Sequence, residues 1–100
     1  MIRATTPTHI FTFPFSVNDY LSKILVTYSQ NNKIILEKTL EDLTIEGNTG
    51  SYTLTQEETL LFSVGNTVQL QVRALTANSK AIASPIYNIS VAKVLNDEVL

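Results

Sequence analysis

The chain alternates. In Leu21–Ser29, Ile24, Val26 and Tyr28 fall on one side and Lys23, Leu25, Thr27 and Ser29 on the other, the period of two that a half-buried strand requires. Thr67–Thr76 is cleaner still, with Val68, Leu70, Val72 and Ala74 opposite Gln69, Gln71 and Arg73. Thr8–Phe15 puts His9, Phe11, Phe13 and Phe15 on one side and Thr8, Ile10 and Thr12 on the other, bracketed by Pro7 and Pro14. Proline cannot donate to a ladder, so this piece suits an edge strand. Asn31-Asn32 follows Leu21–Ser29 and precedes Lys33–Leu40, in which Ile34, Leu36 and Leu40 share a face. Asparagine tolerates positive φ, and the pair predicts a hairpin turn.

Leu43–Glu46 predicts a short strand ending at the turn Gly47–Gly50, and Ser51–Leu54 resumes with Tyr52 and Leu54 together. Thr55-Gln56-Glu57-Glu58 has capping-box spacing, in which the Thr hydroxyl and the Glu carboxylate each satisfy a free backbone amide. It predicts one short helix over 55–62, pinned by Leu60, Leu61 and Phe62 and closed by Gly65-Asn66. Asn78-Ser79-Lys80 predicts a turn, Ala81–Ser84 a strand broken at Pro85, and Ile86–Val94 its continuation with Tyr87, Ile89 and Val91 aligned. About seven short strands at regular spacing predict an all-β domain. An immunoglobulin-like or fibronectin-like antiparallel β-sandwich hides one alternate face of each sheet. A small open barrel satisfies the same periodicity.

Composition supports this reading: Val, Ile and Thr make up 30 of the 100 residues, and β-branched side chains suit a pleated surface. A chain of 100 residues has room for one core, so residues 1–100 are expected to form one domain, with 1–6 and 95–100 as tails. The absence of cysteine removes disulfides, thiolate nucleophiles and cysteine-based zinc sites. The net charge is -2 and the lysines are scattered, which argues against a phosphate-backbone partner. The apolar runs are far shorter than the ~20 residues of a membrane span, and Thr5, Thr6, Pro7, Thr8 and His9 interrupt the opening where a secretory signal would be apolar. Neither nucleic acid nor membrane is expected as a partner, and a cytoplasmic location is the simpler expectation.

Candidate chemistry is sparse. His9 is the single imidazole and has no carboxylate near it in sequence, whereas nucleophilic catalysis needs a nucleophile, a base and a group orienting the base. Glu57-Glu58 and Asp97-Glu98 are adjacent pairs whose side chains diverge, unlike the facing carboxylates of glycoside hydrolysis. Glu46–Gly50 only hints at a calcium loop, and three glycines cannot write a phosphate-binding loop. Asn88-Ile89-Ser90 matches a glycosylation sequon but falls within a predicted strand. No catalytic, metal or cofactor-binding residue is assigned and no cofactor is expected. Phe11, Phe13, Phe15 and Tyr20 concentrate aromatic surface near the start and form the candidate binding surface; sheet edges add a route to assembly by strand pairing.

The segments RATTPTHIFTFPF (3–15), IEGNTGSYTLTQEETLLF (45–62) and VQLQVRALTANSKAIASPIYNISVAKVLNDEVL (68–100) together resemble small Ig-like proteins of about this length, encoded among structural genes of phages and prophages of Gram-positive bacteria. The likeness lies in ordering and spacing: a TTPT start before an aromatic strand, a Gly-Asn turn, an LTQEET helix start, a Val-Arg-Ala strand (72–74) and an Ala-Ser before the last strand. It implies a non-enzymatic virion structural or assembly protein, in or near the tail or baseplate. Its partners would be other virion or assembly proteins or further copies of itself. It would lie in the host cytoplasm during assembly and then in the virion. The alternative is a carbohydrate or host-surface binding module using the four aromatic residues. Separately, Val72-Arg73-Ala74 with Ser84-Pro85 is similar to the final hairpin of fibronectin-type sandwiches, which bears on fold alone.

Overall fold

The computed structural model describes residues 1–100 and is an all-β sandwich of a three-stranded and a five-stranded antiparallel sheet. The strands are β1 (Thr8–Thr12), β2 (Leu21–Gln30), β3 (Lys33–Thr39), β4 (Thr44–Glu46), β5 (Thr49–Thr53), β6 (Val68–Thr76), β7 (Ala81–Ala83) and β8 (Tyr87–Ile89). One sheet runs β1-β5-β4; the other runs β3-β2-β6, with β7 and β8 in succession along the free side of β6. In immunoglobulin lettering, these are sheets B-E-D and C′-C-F-G, with β7 and β8 sharing the place of G. The A strand of an ABED sheet has no counterpart beside β1. Met1–Arg3 instead lies against the far end of the G position, through a parallel bridge between Ile2 and Ala92.

The hairpins form where turn chemistry predicts. Asn31 and Asn32 take φ of +55° and +60°, the two-residue positive-φ turn that matches strand twist, and Gln30 pairs with Lys33 across it. Between β4 and β5 the turn is only Gly47-Asn48, with Gly47 at φ +57°. Gly50, expected in that turn, is instead a buried strand residue opposite Phe11 and Ile45. A Cβ there would stand 3.2 Å from Ile45 Cδ1, so the bare backbone admits the inward side chains of its neighbours.

The inward faces of β2 and β6 match their alternation: Ile24, Val26, Tyr28, Val68, Leu70, Val72 and Ala74 are buried, joined by Val17, Leu21, Leu43, Leu54, Phe62 and Val91. Four expectations need correction. In Lys33–Leu40, Ile34, Leu36 and Leu40 do not share a face. A bulge opposite Tyr28 and Ser29 leaves Ile35 unpaired, pairs Ile34 with the outward Ser29, and leaves Leu36 opposite the inward Tyr28. One extra residue switches the face presented. The last residues of that run form a 3-10 turn, Leu40–Asp42, capped by Asp42 on the Thr39 amide at 2.8 Å. The helix expected over 55–62 is a single turn, α2 (Gln56–Thr59); Phe62 is buried but Leu61 is exposed. Finally, β1 ends at Thr12, and a second short helix, α1 (Val17–Tyr20), seals the sandwich through Val17.

Pro85 breaks the last strand as its missing N–H requires, and Ser84 repairs the ladder. Its N–H donates to Val72 O at 2.8 Å, its Oγ accepts from Val72 N at 3.0 Å, and its carbonyl accepts from Gln71 Nε2 at 3.0 Å. Gln30, buried at the end of β2, performs a similar task for the turn before β6. Its amide donates to Ser63 O and Asn66 O and accepts from Ser63 N, each at 2.8 Å. No helix is long and apolar enough to cross a membrane. The ends expected as tails are held at points. The Met1 ammonium donates to Ser90 O at 2.8 Å, and Leu100 N donates to Gln56 Oε1 at 2.8 Å, while Leu95 is fully exposed.

Candidate functional site

The two sheets are unequal in width, and the missing strand beside β1 leaves a seam. On one rim is β1, on the other β7 and β8, and between them lies a groove of about 600 Å³ floored by Leu70 and Val72. Phe11 lines it from β1 and Phe13 from just past the end of that strand, Ile82 and Tyr87 from the opposite rim. Ile82 pairs with Ala74, and Tyr87 pairs with Leu70. They therefore share the inward face of the sheet, yet both are substantially exposed because no strand covers them.

The backbone of the β1 rim is also unsatisfied. Leu54 N donates to Pro7 O at 2.9 Å, and Phe13 N donates to Asn48 O at 2.8 Å, so the odd-numbered residues between them turn their peptide groups toward β5. By the alternation of an antiparallel ladder, Thr8, Ile10 and Thr12 turn theirs outward. β1 has no other neighbouring strand.

The four aromatic candidates do not form one platform. Phe11, Phe13 and Phe15 are half-buried against the core. Phe13 and Phe15 stack at 5.8 Å between centroids, and Phe15 meets Tyr20 at 5.5 Å and 47°. Tyr20 alone is well exposed, at 56%. Their common property is position: the phenylalanines line the seam and Tyr20 stands at the end of their stack.

His9 lines the groove near Leu70, away from the Phe15–Tyr20 end, and is half-buried with Nδ1 2.7 Å from Tyr28 Oη. No carboxylate is its partner. Burial lowers its pKa below the ordinary histidine value, helped by the positive amino terminus, and burial likewise raises that of Tyr28, with Tyr52 and Glu58 adding to the rise. The sign for His9 is fixed: with the folded value below the unfolded one, its contribution is complete above about pH 6.5 and is lost as pH falls from there through the folded value. Stability measured by urea unfolding is therefore expected to decline between about pH 7 and pH 5. His9→Gln, which cannot titrate, should flatten that segment of the profile; an unchanged slope would assign it to other groups.

A second polar cluster closes the opposite flank. Lys38 lies on β3 opposite the buried Val26 and so points between the sheets. It meets Glu58 Oε2 at 2.7 Å and sits 4.9 Å over the Tyr52 ring. Glu58 also accepts from Tyr52 Oη at 2.8 Å and from Thr55 N at 2.9 Å, while Glu58 N donates to Thr55 Oγ1 at 3.1 Å. Burial pushes the Glu58 carboxyl upward, but hydrogen bonds from Lys38, the Thr55 amide and Tyr52 outweigh it, and the net shift is down. Lys38 is raised, first by its hydrogen bond to Glu58 and then by Tyr52. Every member has a partner, so the cluster is a clasp between sheets. The sequence reading missed it, although one signal was present: Lys38 shares the parity of Leu36 on β3.

No three acidic or histidine side chains gather where a metal could be held. A hollow on the other face of the five-stranded sheet mixes Lys23, Arg73 and Glu41, charges of both signs. The seam is the one feature combining apolar surface with unpaired backbone. Comparisons of the chain with protein-family models, curated proteins and solved structures find no match.

Proposed function

We propose that this chain is a non-enzymatic structural or assembly protein of a phage or prophage virion. It works through protein–protein contacts in or near the tail or baseplate, passing from the host cytoplasm into the particle. The observation that supports contact as its mode of action is the seam, where large inward-facing side chains and a strand edge lie open together. Exposed apolar surface bounded by unpaired backbone costs a soluble domain unless something covers it. The phage placement rests on the resemblance carried by residues 3–15, 45–62 and 68–100. His9 bonds Tyr28, and Glu58 is committed to Lys38, Tyr52 and Thr55, so each has a structural partner.

Mass spectrometry of gradient-purified particles from an induced lysogen tests the reading. The chain is expected as a particle component. Its absence from particles, together with failure to associate with any morphogenesis protein, would overturn the proposal.

A further inference from the structure

We infer that the seam accepts one extended, uncharged segment of a partner protein, which pairs with β1 and lays alternate apolar side chains over Ile82 and Tyr87. This rests on the reading of the chain as a protein–protein contact module and specifies the kind of contact.

Three observations carry it. The first is the backbone of Thr8, Ile10 and Thr12: three N–H and three C=O groups spaced two residues apart along the free side of β1. This spacing is what a strand added to a sheet edge satisfies. The second is the floor. Leu70, Val72, Ile82 and Tyr87 form an apolar surface under the position of the added strand, and no charged side chain lines the groove. An acidic or basic segment would lose its hydration there without gaining a partner, so charge matching selects a neutral occupant.

The third observation is area. The accessible surface is 6248 Å² for 11.1 kDa, against about 5,700 Å² for an ordinary folded monomer of this mass. The surplus of about 600 Å², to which the exposed tail at 95–100 also contributes, marks more open surface than an ordinary domain of this mass leaves, and the uncovered seam is part of it. A second copy pairing β1 to β1 would bring its own overhanging β7 and β8 against those of the first, leaving both grooves unfilled.

The test uses the full chain and a capped heptapeptide with Val or Ile at alternate positions, Thr between them and a lysine handle beyond one end. In the free protein the amides of Thr8, Ile10 and Thr12 are expected to exchange with solvent quickly while those of His9 and Phe11, facing β5, are protected. Adding peptide should protect the first set and leave the second unchanged. N-methylating alternate peptide amides should abolish the effect. Ile82→Asp should weaken binding about tenfold or more, because it places a charge under the added strand; Tyr87→Lys, on β8, gives the same reading should Ile82→Asp fail to fold. Protection of the three amides in the free monomer, no response at saturating peptide, or binding indifferent to Ile82 and Tyr87 would overturn the inference. So would a dimer in sedimentation that protects the same amides, which would make a second copy the occupant. The two readings fail separately: a chain present in particles but indifferent to peptide sinks only the strand-acceptor inference, and a chain that binds peptide but is absent from particles and associates with no morphogenesis protein sinks only the virion reading.

Discussion

Phe62→Ala is expected to cost about 3–5 kcal/mol, the range for emptying a large aromatic site in a core. Phe62 is 1% exposed, and its ring meets Tyr28 at 6.1 Å and 53°. It lies three residues past the end of α2 and is the side chain by which that connection enters the core. A domain of this size has roughly 5–15 kcal/mol in total, so the variant should be unfolded or close to it at body temperature. Urea unfolding should show a midpoint far below that of the parent with a similar slope, because the area exposed on unfolding barely changes. The neighbouring Leu61→Ala is the control. Leu61 is exposed, and its loss should stay within about 0.5 kcal/mol. Equal effects of the two would mean that the turn after α2 packs with the other residue inward.

Glu58→Ala is expected to cost about 2 kcal/mol, the largest effect of any change outside the apolar core considered for this fold. One carboxylate closes the capping box on Thr55, accepts from Tyr52 and pairs with Lys38. Loss of a cap alone is worth about 1 kcal/mol, and a lost hydrogen bond to a charged group adds on the order of 1 kcal/mol or more. The ion pair adds little, since partly solvated pairs contribute at most about 1 kcal/mol. Glu58→Gln separates these contributions: the amide oxygen still caps Thr55 but carries no charge for Lys38, so its cost should be about half. The pH dependence has a definite sign. The folded Glu58 carboxyl lies below its ordinary value, so its contribution is present above the unfolded value, near pH 4.3, and is lost as pH falls through the folded one. The gap between parent and Glu58→Gln should therefore close on acidification below about pH 4. A gap that persists there would show that the lost contribution is not electrostatic.

What could be read from the residues in order was whatever depends on near neighbours. The inward faces of β2 and β6, the Asn31-Asn32 hairpin, the Thr55–Glu58 cap and the break at Pro85 each follow from alternation or turn chemistry within a few positions. What escaped depends on pairing across long separations. The bulge at Ile35 exists only relative to Tyr28 and Ser29 on the adjacent strand. The clasp brings together Lys38 from one sheet, Tyr52 from the other and Glu58 from α2. The seam was least visible, because it follows from a difference in strand number between the sheets. For the aromatic residues near the start, alternation alone could not tell a ring resting on the core from one standing in solvent. Phe11 and Tyr20 differ in that respect.

The Ile35 bulge has a consequence beyond turning Ile34 outward. It interrupts the ladder along β3, which also carries Lys33, Glu37 and Lys38, and charge with irregularity blunts an edge against further pairing. The edge at β4 is three residues long, and the β7–β8 edge is cut at Pro85. β1 alone offers five successive uncharged residues along an unbroken edge. In the language of polymer chemistry, a monomer with two reactive ends propagates and a monomer with one terminates. With β1 as its one long unbroken edge this domain is of the second kind: the strand addition proposed at β1 would use its single open valence, and fibre growth through sheet edges would stop there.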